Sequence, residues 1–115
     1  MNEYILIFRN PKTGMEERPS PEEMQAMMRK WSDWMERIEM KNQLVNRGNQ
    51  LGDEGRIIKP GKTILDGPFV EMKETIGGYI IVGANSLDEA TVLCESCPIF
   101  DMGGQIEIRP LIKME

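Results

Sequence analysis

The sequence predicts an α+β fold in which strands and helices follow the order βαββαβ and both helices lie on one face of an antiparallel sheet. Three observations carry this. Two segments, Glu3–Arg9 and Thr75–Gly83, are apolar on both strand faces, as central strands covered on both sides are. Two capping boxes, Ser20-Pro21-Glu22-Glu23 and Ser86-Leu87-Asp88-Glu89, each open a run of apolar residues at helical spacing. The chain has 115 residues, 40% of them hydrophobic. That suits one domain over 1–115 with a core large enough to need no disulfide or metal staple.

In the first strand Tyr4, Leu6 and Phe8 share one face, and Ile5 and Ile7 share the other. Asn10 to Ser20 reads as a loop, punctuated by Pro11, Gly14 and Pro19. Ser20 then caps a helix with Pro21 at its first position. Met24, Met27, Met28, Trp31, Trp34, Met35, Ile38 and Val45 recur at three- and four-residue steps. Gly48, just after Arg47, is the expected end of that helix. Its Met and Trp stripe is read as core, with a ligand or partner face as the alternative.

Asn49 to Lys62 is rich in glycine and charge. It is expected to hold a strand around Arg56–Lys59, a turn at Pro60-Gly61 and a second piece over Thr63–Leu65. In Thr75–Gly83, Ile76, Ile80 and Val82 alternate with Tyr79 and Ile81. The second helix carries Leu87, Ala90, Leu93, Cys94 and Cys97 on its apolar stripe and stops at Pro98. Gln105–Lys113 is the last strand, with Ile106 and Ile108 alternating with Glu107 and Arg109.

This order is the split βαβ, or ferredoxin-like, pattern. Right-handed crossovers place the first and third strands in the middle of the sheet. Two helices cover only one sheet face, so the other still presents apolar side chains. A second copy of the chain is the expected cover, which makes the protein a homodimer.

Composition excludes several function classes. The chain has no histidine, which removes Ser-His-Asp and Cys-His catalysis and His-ligated metals. Its net charge is −5, and its densest basic stretch, Arg56 to Lys62, holds only Arg56, Lys59 and Lys62. Neither nucleic acid nor an anionic membrane is an expected partner. The apolar runs Ile5–Phe8 and Tyr79–Val82 fall far below the ~20 residues of a membrane span. Glu3 stands where a secretory leader would carry positive charge, so a cytoplasmic location is expected.

Cys94 and Cys97 form a CxxC at the end of a helix rather than its start, with no other Cys or His to complete a ligand set. They are read as packing residues. Pro60-Gly61-Lys62-Thr63 only grazes a phosphate loop: Arg56 stands where that motif needs glycine. Asp66, Glu71 and Glu74 could offer oxygens to a hard cation, but no spacing fixes their geometry. No metal and no cofactor is expected. Glu107 and Arg109 project together from an edge strand, either as a cross-strand ion pair or as the lining of a cleft.

The most unusual stretch is Asp66-Gly67-Pro68-Phe69-Val70-Glu71-Met72-Lys73-Glu74, which crowds charges beside a Phe at a strand end. Further on come Gly77-Gly78-Tyr79, Asp88-Glu89-Ala90, Cys97-Pro98 and Ile106-Glu107-Ile108-Arg109-Pro110. In that order the set resembles the YCII-related family, specifically its DGPF subgroup. The resemblance implies a dimeric α+β barrel, two ferredoxin-like sheets facing each other around a cleft. It also implies that Asp66 corresponds to the family's motif aspartate. Members of the wider family are suspected of using a His–Asp pair in that cleft, and the histidine has no counterpart here.

Two functions follow as expectations. In the first, a small polar or anionic metabolite sits in the dimer cleft. Asp66 supplies acid or base, Phe69 an apolar wall, and Lys73 and Arg109 hold an anionic group. In the second, the protein is a non-catalytic binding or accessory module. Some subgroup members carry a loose association with transcription.

Overall fold

The computed structural model describes residues 1–11, 20–52, 54–66 and 74–114. Strands β1 (Asn2–Pro11), β2 (Leu44–Gln50), β5 (Glu74–Ala84) and β6 (Gln105–Pro110) form one antiparallel sheet in the order β2-β5-β1-β6. Strands β3 (Arg56–Ile58) and β4 (Ile64–Asp66) form a separate two-stranded ribbon. Helices α1 (Pro21–Met40) and α2 (Leu87–Cys94) and a 3-10 helix (Pro98–Met102) complete the described chain. The fold is α+β and ferredoxin-like. The two strands read as apolar on both faces are the central ones, adjacent and paired along their whole length.

Both capping boxes form. Ser20 Oγ accepts the Glu23 N–H at 3.2 Å, and Ser86 Oγ accepts the Glu89 N–H at 3.1 Å. The Glu89 carboxylate accepts the Asn85 N–H in return. These bonds satisfy amides that the first helical turn leaves free.

The first helix ends earlier than expected. It stops at Met40, not near Arg47, and the edge strand of the main sheet is Leu44–Gln50 rather than Arg56–Lys59. The stop is Asn42, held in the left-handed region at φ 57° while Gln43 N–H turns back to the Ile38 carbonyl at 3.1 Å. Gln43 then ties the helix exit to the sheet. Its Nε2 donates to the Gly83 carbonyl at 3.1 Å, and its own carbonyl accepts the Gly83 N–H at 2.7 Å. Val45 and Gly48 therefore belong to β2.

One core lies between the helices and one sheet face, built from Tyr4, Leu6, Phe8, Ile80 and Val82 below and Trp34, Ile38, Ala90 and Leu93 above. Trp34 is its largest fully buried side chain. The rings of Phe8, Trp31 and Trp34 meet edge to face, with centroids 5.0 to 6.0 Å apart. The Met stripe of α1 divides along the helix. Trp34 and Ile38 are core, whereas Met24 and Met28 in the first turns are exposed, as is Leu87 of α2.

A bulge at Gly77 sets the phase of β5. Phe8 pairs with Gly78 but Arg9 pairs with Ile76, so β5 carries one extra residue there. Ile76 is thereby turned off the face of Ile80 and Val82, contrary to the strict alternation, and is exposed. A Cβ at Gly77 would meet Asn10 Nδ2 at 2.3 Å, so a side chain at the bulge has to displace the Asn10 amide.

Cys94 and Cys97 are buried and unbridged, and Cys94 Sγ donates to the Ala90 carbonyl at 3.3 Å. Burial pushes both thiols up to about 12 from the usual 9.0. Folded thiols thus stay protonated where unfolded ones ionise, and stability falls as pH climbs from 9 toward 12. Replacing both by Ala is expected to cost about 1–3 kcal/mol in denaturant unfolding. A thiol reagent at neutral pH should react only on unfolding. Rapid native labelling would contradict the burial.

Candidate functional site

The sheet face turned away from the helices carries two rows of side chains. Cross-strand partners share a face. One row runs Asn49, Tyr79, Ile7, Glu107, and the next runs Asn46, Ile81, Ile5, Arg109. The centre of each row is apolar and half-buried, while the β6 end is charged. Met1 and Val45 extend the apolar area at one corner, where a Cβ on Gly83 would meet them at 3.2 and 3.6 Å.

Arg9 lies on the same face as Ile5 and Ile7. Its Nε and Nη2 donate to Glu107 Oε1 at 3.0 and 2.6 Å. The other carboxylate oxygen, Oε2, lies 3.8 Å from Arg109 Nη1. Glu107 therefore stands between two guanidinium groups and offsets one of them. The excess positive charge resides on Arg109, whose side chain is 70% exposed. A guanidinium with a carboxylate 3.8 Å from one nitrogen and most of its side chain in solvent can take a carboxylate or phosphate on its free donors. The last strand thus contributes both a cross-strand ion pair and an exposed cation.

Asp66 is elsewhere. It ends β4 on the ribbon, opposite Arg56, and its Oδ1 accepts from Arg56 Nε at 2.7 Å. Both side chains are largely in solvent, 75% exposed for Asp66. An ion pair in that setting contributes only ~0–1 kcal/mol. The structure therefore joins Asp66 to Arg56 and Arg109 to Glu107, and does not join the two pairs. Phe69 and Lys73 lie outside the described residues, as does Glu71. Among the described residues no group of three or more His, Cys, Asp or Glu could hold a metal ion.

Arg9 and Arg56 are the site residues that the sequence reading missed. Arg9 could have been found from alternation, which puts it on the face of Ile5 and Ile7. Its pairing with Glu107 needs the β1–β6 register, which no local signal gives. A crevice of about 80 Å³ between α1 and α2, bordered by Trp34, Arg37 and Leu93, is too small for a metabolite site of ~300 Å³ or more. No described helix is long and apolar enough to cross a membrane.

A family model described as the YCII-related domain matches residues 5–115. No curated protein matches the chain.

Proposed function

The chain belongs to the YCII-related family, and from that premise we propose that it is a cytoplasmic homodimer of the DGPF subgroup that binds a small polar or anionic metabolite between two opposed sheets. The observation that carries the reading is Arg109, an exposed guanidinium that the β1–β6 register sets opposite Ile5, beside the apolar centre of an open sheet face and 3.8 Å from Glu107. In this reading Arg109 and Lys73 hold the anionic group and Phe69 forms an apolar wall. The two unbridged cysteines suit a reducing compartment.

Asp66 has two roles open to it. Its position at a strand end in the family motif favours acid–base chemistry. Its exposure and its pairing with Arg56 favour a polar contact without chemistry, because a general base gains from burial that lifts its pKa toward neutrality. We favour binding, with Asp66-based chemistry as the second reading. A non-catalytic accessory or regulatory module is compatible with the first.

Thermal shift against a panel of carboxylates and phosphate monoesters tests this. At least one compound should raise the melting temperature of the wild-type protein and of Asp66→Asn, and fail to do so for Arg109→Gln. Stabilisation that survives Arg109→Gln would remove the anion site from β6. Loss of binding in Asp66→Asn would move Asp66 from the periphery to the centre.

A further inference from the structure

We propose that Glu107 sets the charge of the ligand: the Arg109 site takes a single carboxylate joined to an apolar body and turns away a dianion. This rests on the anion-site reading above and names the class of molecule within it.

The first argument is the division of the two Glu107 oxygens. Oε1 accepts from both Nε and Nη2 of Arg9, at 3.0 and 2.6 Å, so the charge of Arg9 is matched and two of its donors are taken. Oε2 lies 3.8 Å from Arg109 Nη1, beyond hydrogen-bond reach, so it does not occupy the donors of Arg109. A carboxylate on those donors therefore has a negative neighbour. A second negative charge on the same ligand carbon meets Glu107 without a cation of its own, and contact of like charges is how binding sites reject wrong partners.

The second argument is Glu3. It lies on the same face, opposite Gly83, and its backbone carbonyl accepts the Leu111 N–H at 2.9 Å. That makes Glu3 the diagonal neighbour of Arg109, about 7–8 Å away. Among the described residues Glu3 has no cation within 4.0 Å. Arg109 thus stands between two acids, Glu107 along its own strand and Glu3 on the next.

The third argument is the surface beside the guanidinium. Ile5 lies opposite Arg109 and Ile81 opposite Ile5, both half-buried. They line about 10 Å of the face, two strand spacings, with apolar side chains. An apolar body attached to the carboxylate covers them, whereas acetate or inorganic phosphate leaves them in water.

Two ligands on one skeleton test the charge rule by isothermal titration. 3-Phenylpropionate carries one carboxylate, and benzylmalonate carries two on the same carbon. The wild-type protein should bind benzylmalonate at least about tenfold more weakly than 3-phenylpropionate. Glu107→Gln keeps an oxygen for Arg9 and removes the charge. It should bring benzylmalonate to within about threefold of 3-phenylpropionate. Arg9 is a positioning residue in this scheme. Arg9→Met releases Glu107 onto Arg109 and should weaken 3-phenylpropionate by about tenfold or more. Adding Glu107→Gln to Arg9→Met should restore it to within about threefold of wild type, a rescue that mere structural damage would not allow. Equal wild-type affinity for the two ligands would overturn the proposal, as would a preference that Glu107→Gln leaves unchanged. So would a wild-type protein that binds other carboxylates or phosphate monoesters but neither of these two. Failure to bind any anion would instead remove the anion site itself, and the charge rule with it.

Discussion

Trp34→Ala is expected to lower stability by about 3–5 kcal/mol in denaturant unfolding. Three separate losses add up at this position. The indole fills the centre of the core at 1% exposure, and its removal leaves a void that packed neighbours cannot close. It makes edge-to-face contacts with Phe8 and Trp31. Its Nε1–H donates to the Leu93 carbonyl at 3.0 Å, the hydrogen bond that fastens α2 to α1. Trp34→Phe separates these: it keeps most of the packing and orphans the carbonyl, for about 1–3 kcal/mol. Met28→Ala, on the exposed first half of the same helix, should stay within about 0.5 kcal/mol of wild type. Equal costs for Trp34→Ala and Met28→Ala would mean that the Met and Trp stripe is buried along its whole length, for instance beneath another chain.

The helix starts and the central strands were legible because their signals are local. Ser20 and Ser86 each cap an amide three residues on, and no tertiary contact is needed to see that. Apolar residues on both faces of Glu3–Arg9 and Thr75–Gly83 leave the middle of a sheet as the favourable place for them. The end of α1 was not legible from periodicity. Val45 lies seven residues after Ile38, so it continues the helical stripe while actually entering β2. What decides is Asn42, one of the few residues that accept a left-handed backbone, and the bonds of Gln43 to Gly83, forty residues away.

The site divides in the same way. Glu107 and Arg109 could be paired on one face from alternation alone. Arg9 joins them only through the β1–β6 register. Asp66 was expected at a strand end facing a cleft and Arg109 on the polar face of an edge strand as a cation within its reach. Strand membership separates them, since Asp66 belongs to the ribbon and Arg109 to the main sheet.

Gly48→Ala should cost about 3 kcal/mol or more, well above an ordinary glycine substitution in an edge strand. Gly48 has φ 61°, where side chains other than Gly are strained, and a Cβ there would lie 1.7 Å from the Tyr79 carbonyl oxygen. No rotamer change relieves that contact, because both parties are backbone. Either β2 leaves β5 between the Asn46–Ile81 and Asn49–Tyr79 pairs, or the strand loses the turn that Asn46 Oδ1 fixes by accepting the Gly48 N–H at 2.7 Å. Asn, which tolerates this backbone elsewhere, should fare no better here. Gly61 provides the control: its φ is 86° but nothing lies within 4 Å of a Cβ, so Gly61→Ala pays only the backbone strain, about 1–2 kcal/mol. Denaturant unfolding of the two variants side by side separates strain from collision. If they lose the same stability, backbone conformation alone sets the cost, and β2 does not approach Tyr79 as closely as the sheet register requires.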